Sequence, residues 1–383
     1  MTQDLDPLAR YSDAVPDCPL IEVSGTPRER GRQYGEQAAD RIRRGVEHYS
    51  IQLRENNLDA EAVGTITSRF AEGLKPVAAD LLDEITGIAE GAAVSFESAM
   101  LLNARTEILK IARRRQKGLP DFIEPDGCTG VIVEPQAAAE GKLIHAQDWD
   151  WKTECAETAV VLRVLRDDGP DILTFTEAGG LARAGFNSAG ISITGNYLES
   201  ERDYTQPGIP LAIVRRRALE QEYYAHAIKA IHATQKSASN NIMLGQADGV
   251  ALNFECVPDE TFTLTATDGL LVHANHFLSP VALAHITDKG IANMPDSLYR
   301  DLRVRSLLSE KVGRITLDDV KSAMFDDFQT PWSVCRPPRL SLSNNQSATV
   351  AMIVMQPQDR VMEVSILPAL NRNFKRFELP QRN

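Results

Sequence analysis

The sequence predicts an α+β protein, a helical first third followed by layered sheets, and three observations carry that reading. Helix-period stretches run from about residue 28 to about residue 113 after one short strand. From residue 129 the apolar positions recur at period two and are rich in β-branched residues. Helices are inserted among these strands without regular β-α alternation, which favours α+β over a doubly wound parallel sheet. No GxGxxG follows a strand and no GxxxxGK[ST] occurs, so a nucleotide-binding loop is not indicated.

In chain order, Leu20-Ile21-Glu22-Val23 is apolar and β-capable, and Ser24-Gly25-Thr26-Pro27 ends it in a turn. Thr26 fits an N-cap, with Pro27 at the first helical position and Glu29 behind it. Residues 28–55 then form a charged amphipathic helix, followed by helices over 59–74, 76–91 and Ser95 to about Arg113. Residues 114–127, RRQKGLPDFIEPDG, have the charge and Pro/Gly content of an exposed linker that ends on Gly127. Strands are expected at 129–134, 142–147, 158–166, 171–176, 190–196, 241–247, 250–257, 261–266 and 270–275. Asp248-Gly249 is a hairpin signal between two of them. A long helix is expected at 210–234, with further helices at 296–311 and 316–326. A closing hairpin, 348–356 and 360–367, turns at Gln358-Asp359.

With 383 residues the chain can bury a large core in one to three domains. A net charge of −12 without a patterned basic tract argues against a nucleic-acid partner, and Arg113, Arg114, Arg115 and Lys117 read as a solvated linker. The N-terminus, MTQDLDPLAR, lacks the apolar core of a secretory signal, and no run of eighteen apolar residues suggests a membrane span. The five cysteines are widely spaced, with no CxxC and no zinc spacing, which fits free thiols in a reducing cytoplasm.

Chemistry is concentrated around Gly127-Cys128-Thr129 and Trp149-Asp150-Trp151. A cut between Gly127 and Cys128 would give Cys128 a free α-amine of ordinary pKa about 7.7–8.0, a general base within reach of its own thiol. Glycine at 127 removes Cβ crowding from an N-to-S acyl shift. The plainer alternative is a small buried cysteine at the start of a strand. Asp150 would orient the amine if strands 142–147 and 129–134 pair, or it is a turn aspartate between packing tryptophans. Asn275, in His273-Ala274-Asn275-His276, is a candidate oxyanion donor, while His273 or His276 could instead serve Cys128 as base. Asn196 reads as a second donor or as a strand-end cap. Arg336, after Ser333, is a candidate site guanidinium; Arg300 and Arg303 compete with it, although arginines on a helix are more often surface charges.

These segments together resemble the acyl-coenzyme A:6-aminopenicillanic-acid (isopenicillin N) acyltransferase family of N-terminal-nucleophile hydrolases. The matching stretches are IEVSGTPRERGRQYGEQ at 21–37, DGCTG at 126–130, AQDWDW at 146–151, FTEAGGLARAGFNSAGISITGN at 175–196, HANHF at 273–277 and WSVCR at 332–336. The resemblance implies a four-layer αββα sandwich with two antiparallel sheets between helical layers. It implies a precursor cut into an α subunit, 1–127, and a β subunit, 128–383, forming one composite domain. It makes Cys128 nucleophile and base, Asp150 its orienting partner, Asn275 an oxyanion donor, and Arg336 with Ser333 a polar pair. Pro337 departs from the family pattern, which often has histidine there. Asn196 is carried over from the related bile-salt and penicillin V hydrolases.

The resulting expectation is a self-processing amide hydrolase or acyltransferase that uses no cofactor or metal and acts on a small-molecule amide. Trp149, Trp151 and Phe277 would suit an apolar or aromatic acyl group. An unprocessed Cys-His hydrolase and a non-catalytic binding protein of the same fold are the alternatives. The α and β fragments are each other's expected partners, and a homo-oligomer is left open.

Overall fold

Thr26 opens the helical half with a capping box: its hydroxyl accepts the Glu29 amide, and the Glu29 carboxylate accepts the Thr26 amide at 2.9 Å. The computed structural model describes residues 15–115, 127–340 and 346–382. The readings made for the N-terminal residues 1–14 and for linker residues 116–126 lie outside them. Five helices follow the cap: α1 (Pro27–Gln37), α2 (Ala39–Glu55), α3 (Ala60–Leu74), α4 (Ala79–Ala92) and α5 (Phe96–Arg115). The single helix expected over 28–55 is therefore two. Ala38 leaves the helical region at φ −111° and ψ 15°, so that α1 can pack on α4 while α2 packs on α5 and the turn at 153–158. The α1–α4 contact is backbone to backbone. A Cβ on Gly31 would lie 2.0 Å from the Glu84 carbonyl oxygen, and one on Gly91 2.2 Å from that of Arg32.

Two sheets follow. The first has eight strands in the order β1 (Leu20–Ser24), β4 (Ala159–Leu165), β5 (Ile172–Glu177), β6 (Ala184–Asn187), β7 (Ile191–Tyr197), β8 (Asn240–Gln246), β9 (Val250–Cys256) and β10 (Thr261–Thr265). Its one parallel pairing, β1 with β4, ties the first segment of the chain to the rest. The second sheet runs β11 (Leu270–His273), β2 (Thr129–Val133), β3 (Ile144–Lys152), β13 (Gln346–Gln356), β14 (Val361–Ile366) and β15 (Lys375–Glu378), with β12 (Arg339–Leu340) added to β13.

Alternation along β2 decides which layers meet. Val131 and Val133 pack with Val304, Leu308 and Val320 of an outer helical layer. Ile132 points the other way, to Met243 and Ala251 of the first sheet. The outer layer consists of α8 (Pro280–His285), α9 (Gly290–Asn293), α10 (Ser297–Ser309) and α11 (Leu317–Met324). Helices α1–α5, with α6 (Leu211–Leu219) and α7 (Tyr224–His232), cover the first sheet. The order is helices, sheet, sheet, helices: the expected four-layer sandwich.

The helix expected over 210–234 is divided into α6 and α7. The Asn187 side-chain amide takes the Leu219 and Gln221 carbonyls at 2.8 and 2.7 Å and so ends α6 from a strand. Gly249, at φ +110°, makes the expected hairpin turn between β8 and β9.

Candidate active site

Strand β3 is longer than the 142–147 expected, so Trp149, Asp150 and Trp151 are all strand residues, not a turn. It pairs antiparallel with β2, placing Thr129 opposite Asp148 and thus Cys128 beside the Trp149 position. Cys128 and Trp149 belong to one apolar cluster, and the Cys128 Sγ lies 3.9 Å from the Asp150 carbonyl oxygen. Trp149 packs edge-on to Phe175, with the Arg183 guanidinium 4.2 Å from its ring centre. Trp151 donates its indole N–H to the Tyr49 hydroxyl at 2.8 Å. Phe277 is not brought to these tryptophans: it lies in a separate cluster with Leu198, Val257 and Phe262.

Asp148 and Asp150 point to the opposite face of β3, into a buried group of charges supplied by α10 and the segment before β12. Arg300 donates to the Cys128 carbonyl oxygen and the Thr129 hydroxyl, each at 2.8 Å, and to Asn275 Oδ1 at 2.8 Å. Its Nε reaches Asp296 Oδ2 at 2.9 Å. Arg336 shares that Asp296 oxygen through Nη2 and sets its Nε 3.1 Å from Asp150 Oδ2. Thr349 closes the group: its hydroxyl accepts the Arg336 amide at 2.8 Å and donates to Asp150 Oδ1 at 2.6 Å. Ser333 holds the turn that presents Arg336, its hydroxyl donating to the Cys335 carbonyl at 2.5 Å and its carbonyl accepting Arg336 Nε at 3.2 Å.

The Gly127 Cα lies directly against Arg336; a Cβ there would come within 2.5 Å of Nη1. The Gly127–Cys128 peptide is therefore flanked by two buried guanidiniums, one packed on Gly127 and one bonded to the Cys128 carbonyl. Both guanidiniums are held by buried carboxylates, so positive charge is fixed next to this peptide.

The carboxyls differ in character. Burial raises Asp150 to about 6, against the opposing pull of Arg336, Arg300 and the Thr349 hydroxyl. Burial, reinforced by the neighbouring Asp150, pushes Asp148 well above the ordinary range. Burial also works against Asp296, but Arg336 and Arg300 outweigh it and hold this carboxyl below its usual value. At neutral pH Asp150 and Asp296 are the anions of the group. As pH falls through about 6, Asp150 loses its charge and its hold on Arg336. If the Gly127–Cys128 bond is cut by the chain itself, the cut in freshly folded chain should therefore slow on that acid limb, and Thr349→Val, which removes a bond favouring the anion, should move the limb to higher pH in stopped-time gels. Stability has the opposite sign. The folded pKa lies above the ordinary 3.8, so Asp150 costs stability above about pH 6 and the cost is relieved as pH falls toward 3.8.

Asn275 and Asn196 lie beside this group, both fully buried. Asn275 donates Nδ2 to the Tyr197 carbonyl at 2.9 Å, and its backbone amide donates to the Ser297 hydroxyl at 2.7 Å. Asn196 directs Nδ2 to the carbonyls of His273 and Ala274 at 2.8 and 3.0 Å and accepts Gln147 Nε2 at 2.7 Å. Both Asn196 N–H groups are thus used in joining β7 to the end of β11. His273 is engaged at both nitrogens, with Glu255 and the Ala274 carbonyl each at 2.9 Å. The His276 Nδ1 lies 2.7 Å from the Ser297 hydroxyl.

Arg303 pairs with Asp326 at the outer surface, whereas Arg300 is buried in the site together with Asp296 and Thr349, which sequence reasoning did not single out. The signal for Arg300 was its spacing. It is four and eight residues ahead of Val304 and Leu308, on the buried stripe of α10, with Asp296 one turn earlier.

Residues 137–367 match the family of acyl-coenzyme A:6-aminopenicillanic acid acyl-transferase. The acyl-coenzyme A:6-aminopenicillanic-acid-acyltransferase 40 kDa form of Emericella nidulans is 30% identical over 321 residues, covering 82% of this chain and 84% of that protein. Among solved structures, a conjugated bile acid hydrolase from Clostridium perfringens is similar at TM-score 0.49 and 11% identity, over 67% of this chain and 93% of that one. A penicillin V acylase from Agrobacterium tumefaciens is similar at TM-score 0.45 and 15% identity, over 66% and 86%. By the extent of the sequence match, the chain belongs to the acyl-coenzyme A:6-aminopenicillanic acid acyl-transferase family.

Proposed function

We propose that the chain cuts itself between Gly127 and Cys128 and then works as an amide hydrolase or acyltransferase through the N-terminal cysteine so released. The observation that carries this is Gly127 packed against the buried Arg336 guanidinium, with Arg300 bonded to the carbonyl of the adjoining Cys128. In the first reaction the Cys128 thiolate attacks the Gly127 carbonyl carbon and forms the C–S bond. The C–N bond breaks, the nitrogen takes up a proton and becomes the free α-amine, and a thioester remains. Water attacks the thioester, releasing the Gly127 carboxylate and the thiol. The Arg336 guanidinium, packed on Gly127 and fixed by Asp150 and Asp296, stabilises the developing oxyanion.

In turnover the α-amine removes the thiol proton, sulfur attacks the acyl carbonyl of a small-molecule amide, and the amine returns the proton to the leaving nitrogen. Water or a second amine then takes the acyl group. Arg300, bonded to the Cys128 carbonyl and to Asn275, holds both residues in register. Trp149, in the same cluster as Cys128, offers an apolar wall to the acyl group. The two fragments remain together because β1 from the first is paired to β4 in the second, and α1–α5 share the core of the first sheet. Five buried, unbridged cysteines fit a reducing compartment such as the cytoplasm. Among the described residues no helix is long and apolar enough to cross a membrane.

Acyl trapping tests the reading. Acid-quenched incubation with a panel of N-acyl anilides should leave the acyl mass on the Cys128 peptide, with apolar and aromatic acyl groups preferred. Added amines should divert product from acid to amide in proportion to transferase activity. Acylation elsewhere, or turnover of short polar acyl groups only, would count against it. The engagement of both His273 nitrogens argues against His273 as the base of a Cys-His hydrolase and leaves His276 as the other candidate of that alternative. His273→Gln should lower stability but still process and acylate, whereas a Cys-His mechanism through His273 requires loss of both.

A further inference from the structure

A groove of about 1180 Å³ lies between α3, the end of α5, α7 and segment 204–209. That exceeds the roughly 300–1,000 Å³ of most small-molecule sites. Its floor is apolar, with Ile66, Phe70 and Ile111. Its charges are all of one sign. Arg69, Arg217 and Lys229 line it, with His226, and among the described residues no carboxylate does. This is unexpected in a chain of net charge −12, whose acidic residues outnumber Lys and Arg by 53 to 41. The cations come from three separate helices, α3, α6 and α7, so their convergence is a product of the fold and not of one basic run. Arg69 and Lys229 are exposed, and Arg217 meets the Thr234 hydroxyl at 2.9 Å, leaving charge on the groove wall.

The far wall is built in advance. The Tyr204 amide donates to the Ser237 carbonyl at 2.6 Å and the Ile209 amide to the Gln235 carbonyl at 2.9 Å. Between them Gly208 is pressed so closely that a Cβ would lie 2.1 Å from the Lys236 carbonyl carbon. A groove with a fixed wall, an apolar floor and a cationic rim keeps its shape without a ligand, which lowers the ordering cost of binding.

We propose that this groove binds an amphipathic organic anion. The apolar chain of such a ligand lies on Ile66, Phe70 and Ile111, and its carboxylate or phosphate head sits among Arg69, Arg217 and Lys229. The site is independent of the Cys128 chemistry, and its test reads binding only. Purified full-length protein is titrated calorimetrically, below micelle formation, with dodecanoate, dodecyl phosphate, dodecyl maltoside and dodecyltrimethylammonium. The two anions should bind saturably, at least about tenfold more tightly than the neutral and cationic amphiphiles. Their relative affinity distinguishes a carboxylate from a phosphate ligand. Arg69→Glu with Lys229→Glu, at two exposed positions, should weaken the anions at least about tenfold without altering the melting temperature. Gly73→Phe fills the groove from a position whose Cβ meets nothing within 4 Å, and should abolish binding. Equal affinity for all head groups, unchanged anion affinity in the charge-reversed protein, or no binding by either anion would overturn the proposal.

Discussion

A Gly127→Val chain is expected to fold and yet to cut itself at least about tenfold more slowly than the natural sequence, a barrier increase of about 1.4 kcal/mol or more. The cause is steric and local. The first carbon of the new side chain would lie 2.5 Å from Arg336 Nη1, closer than such atoms approach. An arginine tip can usually swing away cheaply. This one is buried and held by Asp150, Asp296 and the Ser333 carbonyl, so moving it breaks the ion pairs that aim it. Gly64→Ala provides the control, since its Cβ meets only a side-chain carbon at 4.0 Å. Fragment appearance on denaturing gels, timed from the start of refolding, reads the effect.

Arg300→Met should be the most destabilising single change in the site, by about 3–5 kcal/mol in denaturant unfolding. It leaves the Cys128 carbonyl, the Thr129 hydroxyl and Asn275 Oδ1 without their shared donor, and leaves Asp296 and Asp150 with one guanidinium in place of two. Burying charge without compensation costs far more than the ion pair itself contributes. Arg303→Met, one turn away and paired with Asp326 near the surface, should cost under about 1 kcal/mol. Nearly equal losses for the two variants would refute the assignment of Arg300 to the centre of the group.

The sandwich was readable where local pattern and tertiary role agree. Thr26, Pro27 and Glu29 announced a helix start that formed as a full capping box, and the period-two stretches became the strands of both sheets. Patterns failed where the deciding contact was distant. Asn187 ends α6 from thirty-two residues away, which no window over 210–234 contains. Strand β15 has one buried residue, Phe377, in a polar run, and β6 is only four residues long, so neither offers a period to detect. Of the candidate site, Cys128, Asp150, Asn275 and Arg336 could be singled out because their segments carry a family pattern, and the fold places them near one another. The residues that join them were less legible. Thr349 lies in an ordinary apolar strand, and Asp296 and Arg300 resemble a surface i,i+4 pair unless Arg300 is placed on the stripe with Val304 and Leu308. Phe277 was misplaced because its neighbourhood in sequence, next to Asn275, does not follow it in space; one residue beyond His276 the chain turns into a different apolar cluster.

The central claim is that Cys128 becomes a chain terminus, and the intact mass of the purified protein under denaturing conditions, beside a Cys128→Ala variant, tests it most directly. Two fragments that divide between Gly127 and Cys128 in the natural protein, with a single 42.2 kDa chain in the variant, are the result the account predicts. A single uncut chain in both, from protein that is folded and acylated by substrate, would contradict it and return the chemistry to an unprocessed thiol.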